Sequence, residues 1–199
     1  ENSDVVINLC GILFENRKQK FNSIHGDIPE SIAKLCAQSK VKKFIHVSAI
    51  GASKDSKSKY QQSKFLGEEK ALSNFDKTVI IRPSVVIGNE DNFTNLFAKL
   101  SLSPIIPVVN VNYKFEPIFV NDVARAILKA IETKNNEGKI YELGGGRVIS
   151  FGDMIKLILS TIGKKRIVAD VPMTLAKIQS SLLGLLPIDP IITKDQCLI

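Results

Sequence analysis

The stretch KFIHVSAIGASKDSKSKYQQSKFLGEEKALSNFDKTVIIR, residues 43–82, decides the fold. It begins with an apolar run at 43–48 and ends with a second one at 78–82, which Pro83 stops. Residues 58–74 between them have helical character, and three apolar side chains are expected to pack this helix: Phe65, Leu66 and Leu72. Strand, helix and strand in this order predict two parallel strands joined by a crossover helix.

The same alternation extends toward the N-terminus. DVVINL (4–9) is rich in β-branched residues and predicts a buried strand. DIPESIAKLCAQSK (27–40) predicts a helix with Asp27 as its cap and Pro29 in its first turn. Its apolar face is expected to hold Ile28, Ile32, Leu35 and Cys36. Because ligands bind beyond the carboxyl ends of parallel strands, the loops NLCG, HVSAIGAS and RPSVVIG should converge on one crevice.

The pattern changes beyond residue 90. The predicted elements are a helix at 92–100, a loop with a short strand at 102–111, a strand at 116–120, a helix at 121–132 capped by Asn121 or Asp122, a strand within 139–146, a helix at 150–163 opened by Ser150, and a helical stretch at 172–186. We therefore expect an α/β fold: a Rossmann-like parallel sheet with crossover helices plus a small mixed C-terminal lobe. The expected domains are 1–90, part of a dinucleotide-binding domain, and 91–199, a substrate or docking lobe interleaved with the remaining sheet elements.

Composition narrows the class of partner. The net charge of +7 over 199 residues suits either an anionic ligand or a solvated lysine-rich surface. Lysines outnumber arginines 22 to 5, and no basic stripe is interleaved with aromatics, so nucleic acid is not indicated. The three cysteines lack metal-ligand spacing and there are only two histidines, so no metal site is predicted. No apolar run reaches about 18 residues, and the first residues do not resemble a signal peptide.

Tyr60 and Lys64 are candidates for acid–base chemistry. Residues four apart share a helix face, and a nearby ammonium favours ionisation of a phenol whose unperturbed pKa is near 10. In a chain with 22 lysines this spacing also arises by chance, so the pair alone indicates little. The motifs around the pair are needed to decide whether it is functional.

Six motifs in order resemble one superfamily: DVVINLCG, FIHVSAIGAS, YQQSK, VIIRPSVVIG, PIFVNDVARAI and YELGGG. They are similar to the extended and atypical branches of the short-chain dehydrogenases/reductases, the NAD-dependent epimerase/dehydratase type. Within that branch INLCGILFE, SIHGDIPESIAKLC and LLPIDPIITKDQ look most like the NAD(P)H-binding accessory subunit of respiratory complex I and its bacterial relatives. The resemblance implies that NADP or NAD is the cofactor.

The resemblance also implies residue roles. Tyr60 would exchange a proton with a substrate, and Lys64 would bind the nicotinamide ribose and lower the pKa of Tyr60; Ser48 completes the candidate catalytic set. The candidate cofactor-binding residues are Asn8, Leu9, Cys10, Gly11, Ser48, Tyr60, Lys64, Pro83, Ser84 and Val86. Asp122 matches a structural acid of the family and is also read as a plain helix cap.

Three departures bear on activity. Ala49 stands where the family usually has a Ser or Thr that polarises the substrate, and His25 stands where it usually has Asn. His25 is read either as a surface histidine or as a site residue. No G-x-G-x-x-G or P-loop motif occurs, and the glycines at 144–146 read as a turn with positive φ. We therefore expect that an N-terminal, phosphate-binding half of roughly 60 residues is missing.

Three functions remain open: an NAD(P)-binding module of a larger assembly, an active oxidoreductase or epimerase on a sugar nucleotide or similar small molecule, and a decayed fragment. The expected partners are a dinucleotide, a small-molecule substrate, and a respiratory assembly or anionic membrane surface. The stretch 171–192 would either dock or close the substrate lobe, with Leu175, Ile178, Leu182 and Leu186 at helical spacing. The expected location is the bacterial cytoplasm, also peripherally at the inner membrane, or the mitochondrial matrix.

Overall fold

The structure is a computed structural model that describes residues 3–171. The strands are β1 (Val5–Asn8), β2 (Lys43–Val47), β3 (Thr78–Pro83), β4 (Val86–Ile87), β5 (Ile105–Val109), β6 (Lys114–Phe115), β7 (Ile118–Phe119), β8 (Ile140–Leu143), β9 (Ile149–Ser150) and β10 (Ile167–Val171). The helices are α1 (Ile28–Gln38), α2 (Lys59–Asn74), α3 (Asn92–Leu100), α4 (Val120–Glu132) and α5 (Phe151–Thr161), and a π-helical segment, Asn22–Asp27, leads directly into α1. The described residues divide into two compact units, 3–83 with 121–143 and 84–120 with 144–171.

The first unit is built on a four-stranded sheet in the order β1-β2-β3-β8. All three strand pairs are parallel, so the predicted parallel α/β sheet is confirmed. The predicted strands and helices up to residue 83 differ from the observed ones by one or two residues at their ends. Parallel strands need long crossovers, and α1 and α2 supply two of them.

Two expectations for α1 are wrong. Asp27 makes no side-chain cap, because the chain is already helical there, and its carboxylate pairs instead with Lys70 at 2.9 Å. Leu35 is 61% exposed. The buried face consists of Pro29, Ala33 and Cys36, at helical spacing of four and three residues.

The helix α2 buries a polar and small face rather than an apolar one. Its buried residues are Ser63, Lys64, Gly67, Glu68 and Ala71, whereas Phe65, Leu66 and Leu72 are half-buried. Both carboxylate oxygens of Glu68 accept hydrogen bonds from Arg82, at 2.9 and 2.7 Å, which satisfies the buried charge. The buried face of α2 therefore contains ionisable and hydrogen-bonding side chains beside its small residues.

The second unit has a core of its own, to which α3, β5 and α5 contribute Phe97, Ile106, Val108, Met154, Ile155, Ile158 and Leu159. Its short sheets pair β5 with β10 and β4 with β7 in parallel, and β6 with β9 antiparallel. The predicted strand at 116–120 shrinks to two residues because α4 begins at Val120. The helical prediction for 172–186 and the docking prediction for 171–192 lie almost wholly outside the described residues.

Candidate functional site

A cleft of about 220 Å³ opens in the first unit where β1 and β2 end. It is lined by Leu9, Cys10, Gly11, Ile12, Leu13, Val47, Ser48, Tyr60 and Lys64. Six of the residues predicted from the sequence therefore meet at one place. Three elements position them: the loop after β1, the end of β2, and the first turns of α2.

Lys64 forms a buried cationic corner of this cleft. Only 4% of the residue is exposed, and its Nζ donates a hydrogen bond to the carbonyl oxygen of Val47 at 2.9 Å. A Cβ on Gly11 would lie in ordinary van der Waals contact, 3.9 Å from this Nζ, so the absence of a side chain leaves the space beside the ammonium open. Burial lowers the pKa of Lys64 to about 8, which leaves the side chain mostly charged at neutral pH.

Tyr60 lies one helical turn before Lys64, on the helix that Ser58 caps. Burial raises the pKa of Tyr60 to about 12. The pKa of Tyr60 thus lies above its unperturbed value rather than below it, because loss of hydration disfavours the phenolate; the role of Lys64 toward Tyr60 stays a prediction. At neutral pH Tyr60 is a protonated phenol.

His25 is 1% exposed, so its interpretation as a surface residue is wrong. Its Nε2 accepts a hydrogen bond from the backbone N–H of Ile12 at 3.0 Å, and its Nδ1 lies 2.8 Å from Oγ of Ser63. The ring stacks on Phe21 and meets Tyr60 edge-on, with centroid distances of 5.3 and 5.4 Å. Burial and the charge of Lys64 lower the pKa of His25 to about 4, so the imidazole is neutral.

Asn8 does not line the cleft but supports its wall. Its Oδ1 accepts a hydrogen bond from the N–H of Cys10 at 3.0 Å, and its Nδ2 lies 3.1 Å from Nδ1 of His46. Pro83 ends β3, where its carbonyl oxygen accepts a hydrogen bond from Ile50 at 3.1 Å. Ser84 and Val86 begin the second unit, so their part in a site stays a prediction.

The residues at the cleft fit one end of a dinucleotide. The Oγ of Ser48 is buried and has no hydrogen-bond partner among the residues that the structure describes, although Ser48 lines the cleft. A buried hydroxyl without a partner costs free energy that a polar ligand atom would recover. The cleft volume suits a nicotinamide and its ribose, and it is below the roughly 300–1,000 Å³ of pockets that hold a whole drug-sized ligand.

Sequence reasoning missed the residues that support the cleft. Ser63, Ile12 and His46 take part in the hydrogen bonds behind the wall, where Nε2 of His46 is buried and has no partner among the described residues. Ser63 carried a signal, since it lies three residues after Tyr60 and four before Gly67, on the packing face of α2. In residues 3–171 no group of three or more His, Cys, Asp or Glu could hold a metal ion, and no helix is long and apolar enough to cross a membrane.

The family model described as the RmlD substrate binding domain matches residues 12–181. The chain belongs to this family. Solved structures support the same fold for this member of the RmlD substrate binding domain family. The dTDP-4-dehydrorhamnose reductase of Bacillus anthracis, in complex with NADP, is 18% identical with a TM-score of 0.72, over 98% of this chain and 78% of that one. The UDP-glucuronic acid 4-epimerase of Bacillus cereus, in complex with NAD, is 20% identical with a TM-score of 0.72, over 98% and 72%.

The most similar curated relatives point to the narrower group. NADH dehydrogenase [ubiquinone] 1 alpha subcomplex subunit 9, mitochondrial, of Mus musculus is 34% identical over 198 residues, which is 98% of this chain and 52% of that protein. The chain thus spans about half the length of the curated relatives it matches. The resemblance to epimerase/dehydratase-type short-chain dehydrogenases and to the complex I accessory subunit is confirmed.

Proposed function

We propose that this chain is a dinucleotide-binding module that holds the nicotinamide–ribose end of NADP or NAD within a larger assembly. The observation that carries the proposal is that three groups meet at one cleft: Gly11, the buried ammonium of Lys64, and the hydroxyl of Ser48, which has no hydrogen-bond partner within residues 3–171. A solved structure of the same fold contains NADP and another contains NAD.

Each side chain has a separate task in this proposal. The ammonium of Lys64 donates hydrogen bonds to ribose hydroxyls, and Gly11 lets the backbone approach the sugar closely. The buried hydroxyl of Ser48 forms a hydrogen bond with a polar atom of the ligand. The ring of Tyr60 packs against the ligand. A bound nicotinamide supplies hydride chemistry to whatever substrate the site admits.

Two observations favour binding over turnover. Tyr60 is a protonated phenol with a pKa raised to about 12, so it is a poor base for removing a proton from an alcohol near neutral pH. Ala49 also lacks the hydroxyl that would polarise a substrate. The second candidate, an active oxidoreductase or epimerase on a sugar nucleotide, is favoured by the complete Tyr60–Lys64 pair at the cleft, because a protonated phenol can still donate.

The partner that we propose is a respiratory assembly on the matrix side of the mitochondrial inner membrane. The mouse relative, a mitochondrial subunit of NADH dehydrogenase, supports this proposal. A bacterial cytoplasmic location, a small-molecule substrate and contact with an anionic membrane surface remain further proposals. The +7 charge suits the last of these.

Calorimetric titration of the chain with NADPH and NADH tests the proposal. We expect a dissociation constant above about 1 μM, the affinity that about 8 kcal/mol would give, because the sequence has no glycine-rich turn for the pyrophosphate. Lys64→Met should weaken binding about tenfold or more, since a hydrogen bond from a charged donor contributes about 1.5–3 kcal/mol. Tyr60→Phe should stay within about threefold of the wild type, because the hydroxyl serves a substrate rather than the ribose.

Equal affinity of Lys64→Met and the wild type would overturn the proposal. Added UDP- and dTDP-sugars separate the two candidate functions. Steady consumption of NADPH or NADH marks a reductase, and conversion of the sugar to its epimer in the presence of NAD, with no net change in the cofactor, marks an epimerase. Either activity, if Tyr60→Phe abolishes it, would establish the enzyme and exclude a module that only binds.

A further inference from the structure

Both histidines of the chain are buried behind the loop that follows β1. The N–H of Cys10 donates a hydrogen bond to Oδ1 of Asn8. The Nδ2 of Asn8 in turn lies within hydrogen-bond distance of Nδ1 of His46. The N–H of Ile12 donates directly to His25. Residues 9–12 have no regular secondary structure, so these side chains replace the partners that a helix or sheet would give the two amides.

The directions of these hydrogen bonds fix the position of each imidazole proton. A backbone N–H donates to Nε2 of His25, so the proton of His25 lies on Nδ1 and is donated to Oγ of Ser63. Ser63 then donates its own proton to the carbonyl oxygen of Tyr60 at 2.7 Å. Asn8 accepts through its oxygen, so its amide N–H donates to Nδ1 of His46 and leaves the proton of His46 on Nε2.

We propose that His25 and His46, as neutral imidazoles in opposite tautomers, are positioning residues that fix the backbone of residues 10–12 as the wall of the cofactor cleft. The inference rests on the proposed function, because it assigns these residues to the same cleft. We call the pair and their partners Asn8 and Ser63 the histidine clamp.

The histidine clamp affects ligand binding through the position of Gly11. It lies between the two held amides of Cys10 and Ile12, so its position follows from theirs. A Cβ there would lie 3.7 Å from Nε2 of His25 and 3.9 Å from Nζ of Lys64. The clamp thus sets the separation between the loop and the ammonium, which is where the ribose would enter.

The clamp also connects two sides of the cleft. His25 receives its hydrogen bond from the loop and passes one to Ser63 on α2, directly before Lys64. Ring packing against Phe21 and Tyr60 holds the imidazole plane in place. A histidine that only filled space would need these rings but not the acceptor nitrogen.

Two substitutions at one position separate packing from hydrogen bonding. His25→Phe keeps the aromatic ring and removes both nitrogens, whereas His25→Gln loses the ring and keeps an amide acceptor within reach of Ile12. If the clamp positions the wall, His25→Phe weakens binding of NADPH about tenfold or more, because the Ile12 amide loses its acceptor and the loop is no longer fixed. His25→Gln keeps an acceptor and stays within about threefold of the wild type. If His25 only filled space, His25→Gln would weaken NADPH binding more than His25→Phe would.

Hydrogen exchange of the Ile12 amide and ¹⁵N NMR of the imidazoles provide readouts that need no ligand. We expect the Ile12 amide to be protected in the wild type and in His25→Gln and to exchange rapidly in His25→Phe. In the wild type at pH 7, His25 should carry its proton on Nδ1 and His46 on Nε2. The pair His46→Asn and His46→Phe repeats the comparison at the Cys10 amide.

The outcomes separate the two proposals. NADPH binding by the wild type, with His25→Phe and His25→Gln equally affected and the Ile12 amide unchanged, overturns the clamp and leaves the proposed function intact. Protection that follows the acceptor nitrogen, without any NADPH binding by the wild type, overturns the proposed function instead. A charged His25 at pH 7, or both histidines in the same tautomer, overturns the clamp without any variant.

Discussion

Burial is the main cause of the pKa shifts of four residues at the cleft and behind it: Tyr60, Lys64, His25 and His46. Loss of hydration favours the neutral form, so the pKa of the phenol rises to about 12, that of the ammonium falls to about 8, and those of the imidazoles fall to about 4 and 3. The sequence predicted that Tyr60, Lys64 and Ser48 meet at one cleft. The sequence did not predict that the pKa of Tyr60 would rise, because the burial that raises it is a property of the folded chain.

The histidines should make stability depend on pH between 6.5 and 4. Their pKa values are lower in the folded chain than the unperturbed 6.5, so the unfolded chain binds more protons in this window. Their stabilisation is complete above pH 6.5 and is lost as the pH falls, with a slope approaching about 1.4 kcal/mol per pH unit for each histidine. Urea unfolding at pH 7, 6 and 5 measures it above the range where carboxylates titrate.

The double variant His25→Gln/His46→Asn is the control for that slope. It lacks both imidazoles, so its free energy of unfolding should be nearly flat from pH 7 to pH 5. A wild type that is equally flat would show that the two imidazoles are not held neutral by the fold.

At the scale of the element, α2 brings the site together because Gly67 allows very close packing. A Cβ at Gly67 would overlap the carbonyl oxygen of His25, in the π-helical segment before α1. The bounds of α2 were predictable from its sequence, whereas this contact was not, because the π-helical segment is defined by its packing on α2. The two-residue strands β4, β6, β7 and β9 likewise exist only through their partners.

Gly67→Ala should therefore destabilise the protein. In an ordinary helix interior this change stabilises by about 0.5–1 kcal/mol, but here the methyl group must push α2 away from His25. We expect a loss of about 1–3 kcal/mol in urea unfolding, as for other overpacked sites. Glu69→Ala, on the exposed side of the same helix, is the control and should stay within about 0.5 kcal/mol of the wild type. A more stable Gly67→Ala would contradict this packing.

The helix α4 is held to the sheet by a buried lysine. The ammonium of Lys43, on β2, lies 2.6–3.2 Å from four acceptors that share its three N–H donors: the carbonyl oxygens of Ala130, Ile131 and Thr133, and Oδ1 of Asn136. These carbonyls end the helix, where partners are otherwise missing and a positive charge is favourable.

Lys43→Met should lower the free energy of unfolding by about 2–3 kcal/mol, because the part-buried carbonyls of Ile131 and Thr133 and the buried Oδ1 of Asn136 lose a charged donor, although Ala130 keeps the hydrogen bond from Nδ2 of Asn136. The neighbouring Lys42 is exposed and pairs with the equally exposed Asp4 at 2.8 Å, so Lys42→Met should leave stability nearly unchanged. Equal effects of the two substitutions in urea unfolding would contradict the role given to Lys43.

At the scale of the whole molecule, the parallel sheet and the family were both predictable from the order of the motifs. The strands KFIHVS and TVIIR are buried on both faces and therefore read as continuous apolar runs. DVVINL has the same pattern, but it is only partly buried, with Ile7 43% exposed, so the expectation of a buried strand there is wrong. The second unit was less predictable. Its strand β10 follows Lys164, Lys165 and Arg166 and leaves Ile167 65% exposed, so only its pairing with β5 identifies it.

The central claim is that the cleft between the loop after β1 and α2 receives the nicotinamide–ribose end of a dinucleotide. A titration of the ¹⁵N-labelled chain with NADPH, followed through its ¹H–¹⁵N spectrum, tests it most directly. We predict saturable shifts centred on the amides of Gly11, Ser48 and Lys64, with a dissociation constant above about 1 μM in the wild type and one about tenfold or more higher in Lys64→Met. Unchanged amides at these positions in millimolar NADPH, or shifts confined to residues of the second unit, would contradict the claim.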